Sequence, residues 1–127
     1  SLTDLIWHLD VRAPKTDQAP GIQAFILIDD VQPRGGGTLA LAGSHKLHYV
    51  NRQLSALGVL KEKSRFFSEP EKFLQPQDVC GIPVQIVEMS GRAGDLFLMD
   101  LRILHSPSVN SRPDIRMMAT TRFINPR

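Results

Sequence analysis

The period of apolar and polar positions changes several times along this chain, and each change marks an element. Residues 5–11, Leu-Ile-Trp-His-Leu-Asp-Val, alternate in part and are rich in strand formers, which predicts a strand ending near Asp10. Prolines and polar residues make 12–21 a loop. Residues 22–28 are almost continuously apolar and are closed by Asp29 and Asp30, the pattern of a strand covered on both faces. Pro33 and Gly35-Gly36-Gly37 predict a turn, and 38–42 a further short strand. Leu47, Val50, Leu54 and Leu57 then recur at helical spacing up to Gly58, so a helix is expected to start around Ser44 as its N-cap. Residues 61–83 are polar and broken by proline, an irregular excursion with room for one short helix. Alternation returns at 84–89; after a glycine turn at 91–94 the next strand is expected at 95–99, and 101–104 continues toward His105. A Ser/Pro-rich loop and a last strand at 117–124 follow.

Short strands between Gly/Pro turns, with one helix, indicate an all-β sandwich or barrel. Parallel βαβ winding would need more helices. The 127 residues fit one domain spanning 1–127, and a chain of that size buries roughly two-thirds of its unfolded surface, enough for a core. An apolar share of 42% against 22% charged sets the chain apart from disordered sequences. No apolar run reaches the ~20 residues of a spanning helix, and no basic leader precedes the first apolar stretch, so no membrane association is expected. Cys80 is the sole cysteine, which forbids an intrachain disulfide and fits the reducing cytoplasm. The net charge of +2 is small, and Glu62 interrupts the one basic cluster, Lys61, Lys63 and Arg65. That cluster reads as a solvated segment, and with few aromatics no nucleic-acid partner is expected.

Candidate chemistry gathers at three places. His8 and Asp10 are two apart on a strand, so their side chains share a face and can converge on one cation. His105 closes another predicted strand. Two imidazoles and one carboxylate form the facial triad of non-haem Fe(II) oxygenases, which leaves positions for a chelating cosubstrate and O2. Arg116 follows the 106–111 loop, where a guanidinium can grip a carboxylate bidentately. Arg122 would share its face on one strand and is the alternative clamp.

Taken in order, Trp7-His8-Leu9-Asp10, Gly36-Gly37-Thr38-Leu39, Gly43-Ser44-His45, Gly94-Asp95-Leu96-Phe97, Leu104-His105-Ser106 and Asn110 through Arg116 resemble the phytanoyl-CoA dioxygenase family of Fe(II)/2-oxoglutarate-dependent oxygenases. Each motif alone is weak; order and spacing together are specific, and they span Trp7 to Phe123. The resemblance implies a double-stranded β-helix (a cupin-like jelly roll), with His8, Asp10 and His105 as iron ligands and Arg116 on the distal carboxylate of 2-oxoglutarate. It implies hydroxylation of a small-molecule or acyl substrate by O2, with release of succinate and CO2. Asp10 favours hydroxylation over the halogenation of relatives that carry a small residue there. The family pattern usually has a substantial portion before the His-x-Asp strand, so this chain reads as its C-terminal catalytic core. Ser106-Pro107 also replaces the commoner Gly-Ser after the second histidine.

Other residues carry blander readings. His45 and His48 near the predicted helix start read as structural, the glycine run as a tight turn without a phosphate-loop GK[ST], and Cys80 as a buried or incidental thiol. Residues 12–21 and 61–83 are candidate pocket walls or plain surface loops. Two competing functions are a non-catalytic β-sandwich module that self-associates as a homo-oligomer to cover strand edges, and a cupin-like metalloprotein that does not use 2-oxoglutarate.

Overall fold

A computed structural model describes residue 7 and residues 18–47, 68–107 and 118–125. Among the described residues seven strands run in chain order: β1 Gly21–Leu27, β2 Leu39–Ala42, β3 Gln77–Val79, β4 Ile82–Glu88, β5 Leu96–Asp100, β6 His105–Ser106 and β7 Met118–Ile124. They form two antiparallel sheets, one in the order β5-β1-β7 and the other β3-β4-β2-β6. The all-β expectation holds, and five of the strands fall where the apolar pattern and the turns between placed them.

Strand pleating explains two separate cores. On the four-stranded sheet, Leu39, Leu41, Val84 and Ile86 share one face and pack with Phe73 and Val79. Phe73 comes from a short 3-10 helix, Pro70–Leu74, laid over that face, and it is wholly buried. Burial of one such side chain is worth about 1.5–3 kcal/mol. The opposite face carries Ala40, which meets Phe25 and Met99 of the three-stranded sheet, with Met89 and Ile103 filling the space between. The second core is therefore the layer between the sheets.

Three expectations need correction. The 61–83 stretch is more regular than its prolines imply: it holds the 3-10 helix, β3 and the start of β4. Cys80 and Gly81, at φ 53° and 84°, make the two-residue turn that joins β3 to β4, a conformation whose hand suits a tight hairpin. Cys80 is accordingly a free, half-buried thiol at a turn. Secondly, β1 is covered on one face only. Its outward residues Ile22 and Ile26 stand exposed beside Leu96, Leu98 and Phe123, with Leu98 at 65% and Phe123 at 62%. An apolar run thus signalled an apolar outer face, not a covered one. Thirdly, Ser44 does not cap a helix. Gly43 occupies the cap position of the 3-10 turn Ser44–Lys46, and no side chain bonds there. Its φ of 91° and a would-be collision of a Cβ with the Pro83 carbonyl oxygen reserve this position for glycine. The rest of the expected helix lies outside the described residues, as does the 5–11 strand apart from Trp7.

Candidate active site

His105 opens β6, with its Cα opposite Ala40, so its side chain shares the inter-sheet face with that residue. The residue is buried, 5% exposed. Its Nδ1 lies 3.0 Å from the Ile103 carbonyl oxygen. A carbonyl only accepts, so Nδ1 carries a proton, and in the neutral ring the lone pair is then on Nε2. Metal-ligating histidines are held in this way, with the other ring N–H given to a carbonyl or carboxylate.

The backbone before His105 is pinned from two sides. The Leu104 N–H donates to Ser44 Oγ at 2.9 Å, and the Leu104 carbonyl accepts from the Leu41 N–H at 2.8 Å. Ser44, buried after the left-handed Gly43, is therefore a positioning residue for His105. Sequence reading assigned it to a helix cap because it could not see a partner sixty residues away.

The turn from β5 into β6 is held by Asp100. Its Oδ1 accepts from the Arg102 backbone N–H at 2.9 Å and from Arg102 Nε at 3.0 Å, while Oδ2 accepts from Nη2 at 2.8 Å. The Ile103 N–H donates to the Asp100 carbonyl at 3.0 Å, which sets the direction of the carbonyl that holds the His105 ring. Burial alone would raise the Asp100 carboxyl; the side-chain and backbone hydrogen bonds from Arg102 and its positive charge outweigh that, and the carboxyl sits below its ordinary 3.8. Sequence reading passed over this pair, although an Asp-x-Arg spaced to close a turn onto itself was there to be read.

Facing His105's sheet, the three-stranded sheet carries a polar row. Gln23 and Arg122 are directly opposite in register, and Gln23 Nε2 donates to Thr120 Oγ1 at 2.9 Å, so Thr120 and Arg122 share the inward face with Gln23. Gln23 is buried and its Oε1 has no hydrogen-bond partner. Thr120 and Arg122 are exposed, so Gln23 alone of the row is a buried polar group, with an oxygen that is left unsatisfied.

His8, Asp10 and Arg116 lie outside the described residues, as does His48; only His105 of the expected set, and Arg122 as alternative clamp, are placed. Among the described residues no group of three or more His, Cys, Asp or Glu side chains could hold a metal ion. Nor is any described helix long and apolar enough to cross a membrane.

Comparison with curated proteins and with solved structures returns no match in either set. The family model described as phytanoyl-CoA dioxygenase (PhyH) matches residues 4–118. That span takes in His105 and the turn that positions it, along with the ordered glycine motifs. The chain belongs to the phytanoyl-CoA dioxygenase family.

Proposed function

We propose that this chain is an Fe(II)/2-oxoglutarate-dependent dioxygenase that hydroxylates a small-molecule or acyl substrate, with His8, Asp10 and His105 as iron ligands. The observation that carries the reading is His105 itself: an inward, buried imidazole whose Nδ1–H is spent on the Ile103 carbonyl, which directs the Nε2 lone pair as a ligand requires. The family supports the same reading, since its members fall among oxygenases. Trp7 packs against the outer core beside Leu104. On the strand that the sequence predicts over 5–11, His8 and Asp10 share the face opposite to that of Trp7.

The sheet orders fit a double-stranded β-helix in which one further strand would lie beside β6 and another beside β7. On that plan a cosubstrate lies between the sheets. By parity in the sequence, Arg116 would share a face with Thr120 and Arg122 if one strand held all three. There its guanidinium would hold the distal carboxylate bidentately. Iron and the cosubstrate together would supply oxygen activation; the chain binds, orients and keeps water from the inter-sheet layer. Succinate formation from 2-oxoglutarate should require added Fe(II). It should fall at least tenfold in Arg116→Gln, with a raised 2-oxoglutarate requirement, and far less in Arg122→Gln. The reverse order would move the clamp to Arg122.

A second reading, self-association, is favoured by the outward face of Ile22, Ile26, Leu96, Leu98 and Phe123, since apolar groups of this size gathered on one exposed face mark contact surfaces. Light scattering should then give a mass above 14.2 kDa that falls toward it in Leu98→Lys. A monomer throughout would dismiss this reading without touching the first.

A further inference from the structure

A cavity of about 320 Å³ opens between the sheets on the side away from β6 and β7. Its walls come from β2, β4 and β5 and from the approach to β6, with Val87, Met89, Phe97, Leu98, Met99 and Ile103 as the larger apolar groups. His105 does not line it; Ala40, its neighbour in register, stands between. Two polar side chains, His45 and Asp100, join the wall. Asp100 is already satisfied by Arg102 on both oxygens. His45 is not: its Nδ1 is sealed from solvent and has no hydrogen-bond partner.

We propose that this cavity binds a small uncharged molecule with an apolar body and one hydroxyl, the hydroxyl pairing with the His45 ring. The size argument is direct. An apolar cavity of ~150 Å³ holds benzene, so this one has room for a substituted ring or a short branched chain. The charge argument follows from the wall. Asp100 and Arg102 cancel each other, and burial lowers the His45 imidazole below its usual 6.5 despite the opposing pull of Asp100, which favours the neutral ring. A charged ligand would lose hydration with no opposite charge to meet it among the described lining residues. A hydroxyl suits a neutral imidazole because it can donate or accept, whichever tautomer is present. The broad preference of the ring torsion lets the imidazole turn Nδ1 toward the cavity.

The test uses 4-ethylphenol as probe and 4-ethylbenzoate as its charged counterpart, at pH 7.5 with chelator present, so that iron plays no part. With methyl-labelled methionine, two of the four methyl signals, Met89 and Met99, should shift saturably with the phenol. The ring nitrogens of His45 should shift with the same affinity. The benzoate should bind at least tenfold more weakly. Val87→Trp, at a half-exposed position in the wall, should abolish the methyl shifts, and His45→Phe should weaken binding about tenfold. Unmoved Met89 and Met99 signals, equal binding of the benzoate, or full binding in Val87→Trp would overturn the site. Unmoved His45 nitrogens in the unmodified chain would overturn the role of His45 even if His45→Phe fails to fold. Iron-dependent turnover is unaffected by any of these outcomes, so the two proposals fail separately.

Discussion

His105→Ala is expected to lower Fe(II)-dependent succinate formation by more than 100-fold while the chain still unfolds cooperatively. Loss of a partner behind a metal ligand costs 10–100-fold, and loss of a ligand should exceed that. The substitution also removes the donor from the Ile103 carbonyl, at a cost of about 1–3 kcal/mol if that oxygen stays buried. Both effects are separable. Urea unfolding reports the second, and turnover per folded molecule reports the first. His105→Gln sharpens the contrast, because its amide can still donate to Ile103 but makes a poor iron ligand. Near-normal stability with lost turnover is the expected pattern for His105→Gln; retained turnover in both variants would remove His105 from the site.

The largest stability effect is expected at Arg102. Arg102→Leu strips Asp100 of the Nε and Nη2 hydrogen bonds and of its charge partner, leaving a carboxylate only 21% exposed. Breaking a buried pair costs 3–5 kcal/mol; partial exposure of Asp100 puts this case at about 3 kcal/mol, or roughly 10 °C in Tm. The sign with pH follows from the direction of the shift. The Asp100 carboxyl is held low in the fold, so its contribution is fully present above its unfolded value near 3.8 and is lost as pH falls through the lower folded value. In the variant the backbone N–H of residue 102 still donates to Oδ1 and His45 still favours the carboxylate, but burial meets less opposition, so the protonated form gains ground. The stability gap between the two chains should therefore narrow as urea titrations move from pH 7 to pH 3. His45, lowered by burial and further by the Arg102 charge, makes both chains lose stability as pH drops below about 6.5; without that charge the variant loses less, which narrows the gap in the same direction. A gap that stays constant with pH would mean the pair is not what holds the turn.

What could be read in the sequence followed from chain-local physics. Apolar runs and alternation found β1, β2, β4, β5 and β7 within a residue or two of their bounds; burial accounts for this in β1, β2 and β4, whereas β7 is exposed along most of its length. The same pattern missed β3, only three residues long and set among prolines and charges. It also misjudged the outer side of β1, since an apolar residue looks the same in a sequence whether or not anything covers it. At the candidate site, His105 was singled out from its place in an ordered motif. What holds it was not: Ser44 reaches Leu104 across sixty positions, and the Ile103 carbonyl is aimed by a turn that Asp100 and Arg102 close. The inward pairing of Gln23 with Thr120 spans 97 positions and has no sequence signal either. These are through-space contacts, which appear only once the two sheets face each other.

The central claim is a site that takes iron and 2-oxoglutarate together, and anaerobic titration measures it without waiting for a substrate. Adding Fe(II) to the chain in the presence of 2-oxoglutarate should raise the weak visible charge-transfer band of the chelate, saturating at one iron per chain and absent in His105→Ala. No band at saturating iron and 2-oxoglutarate, or the same band in His105→Ala, would contradict the account.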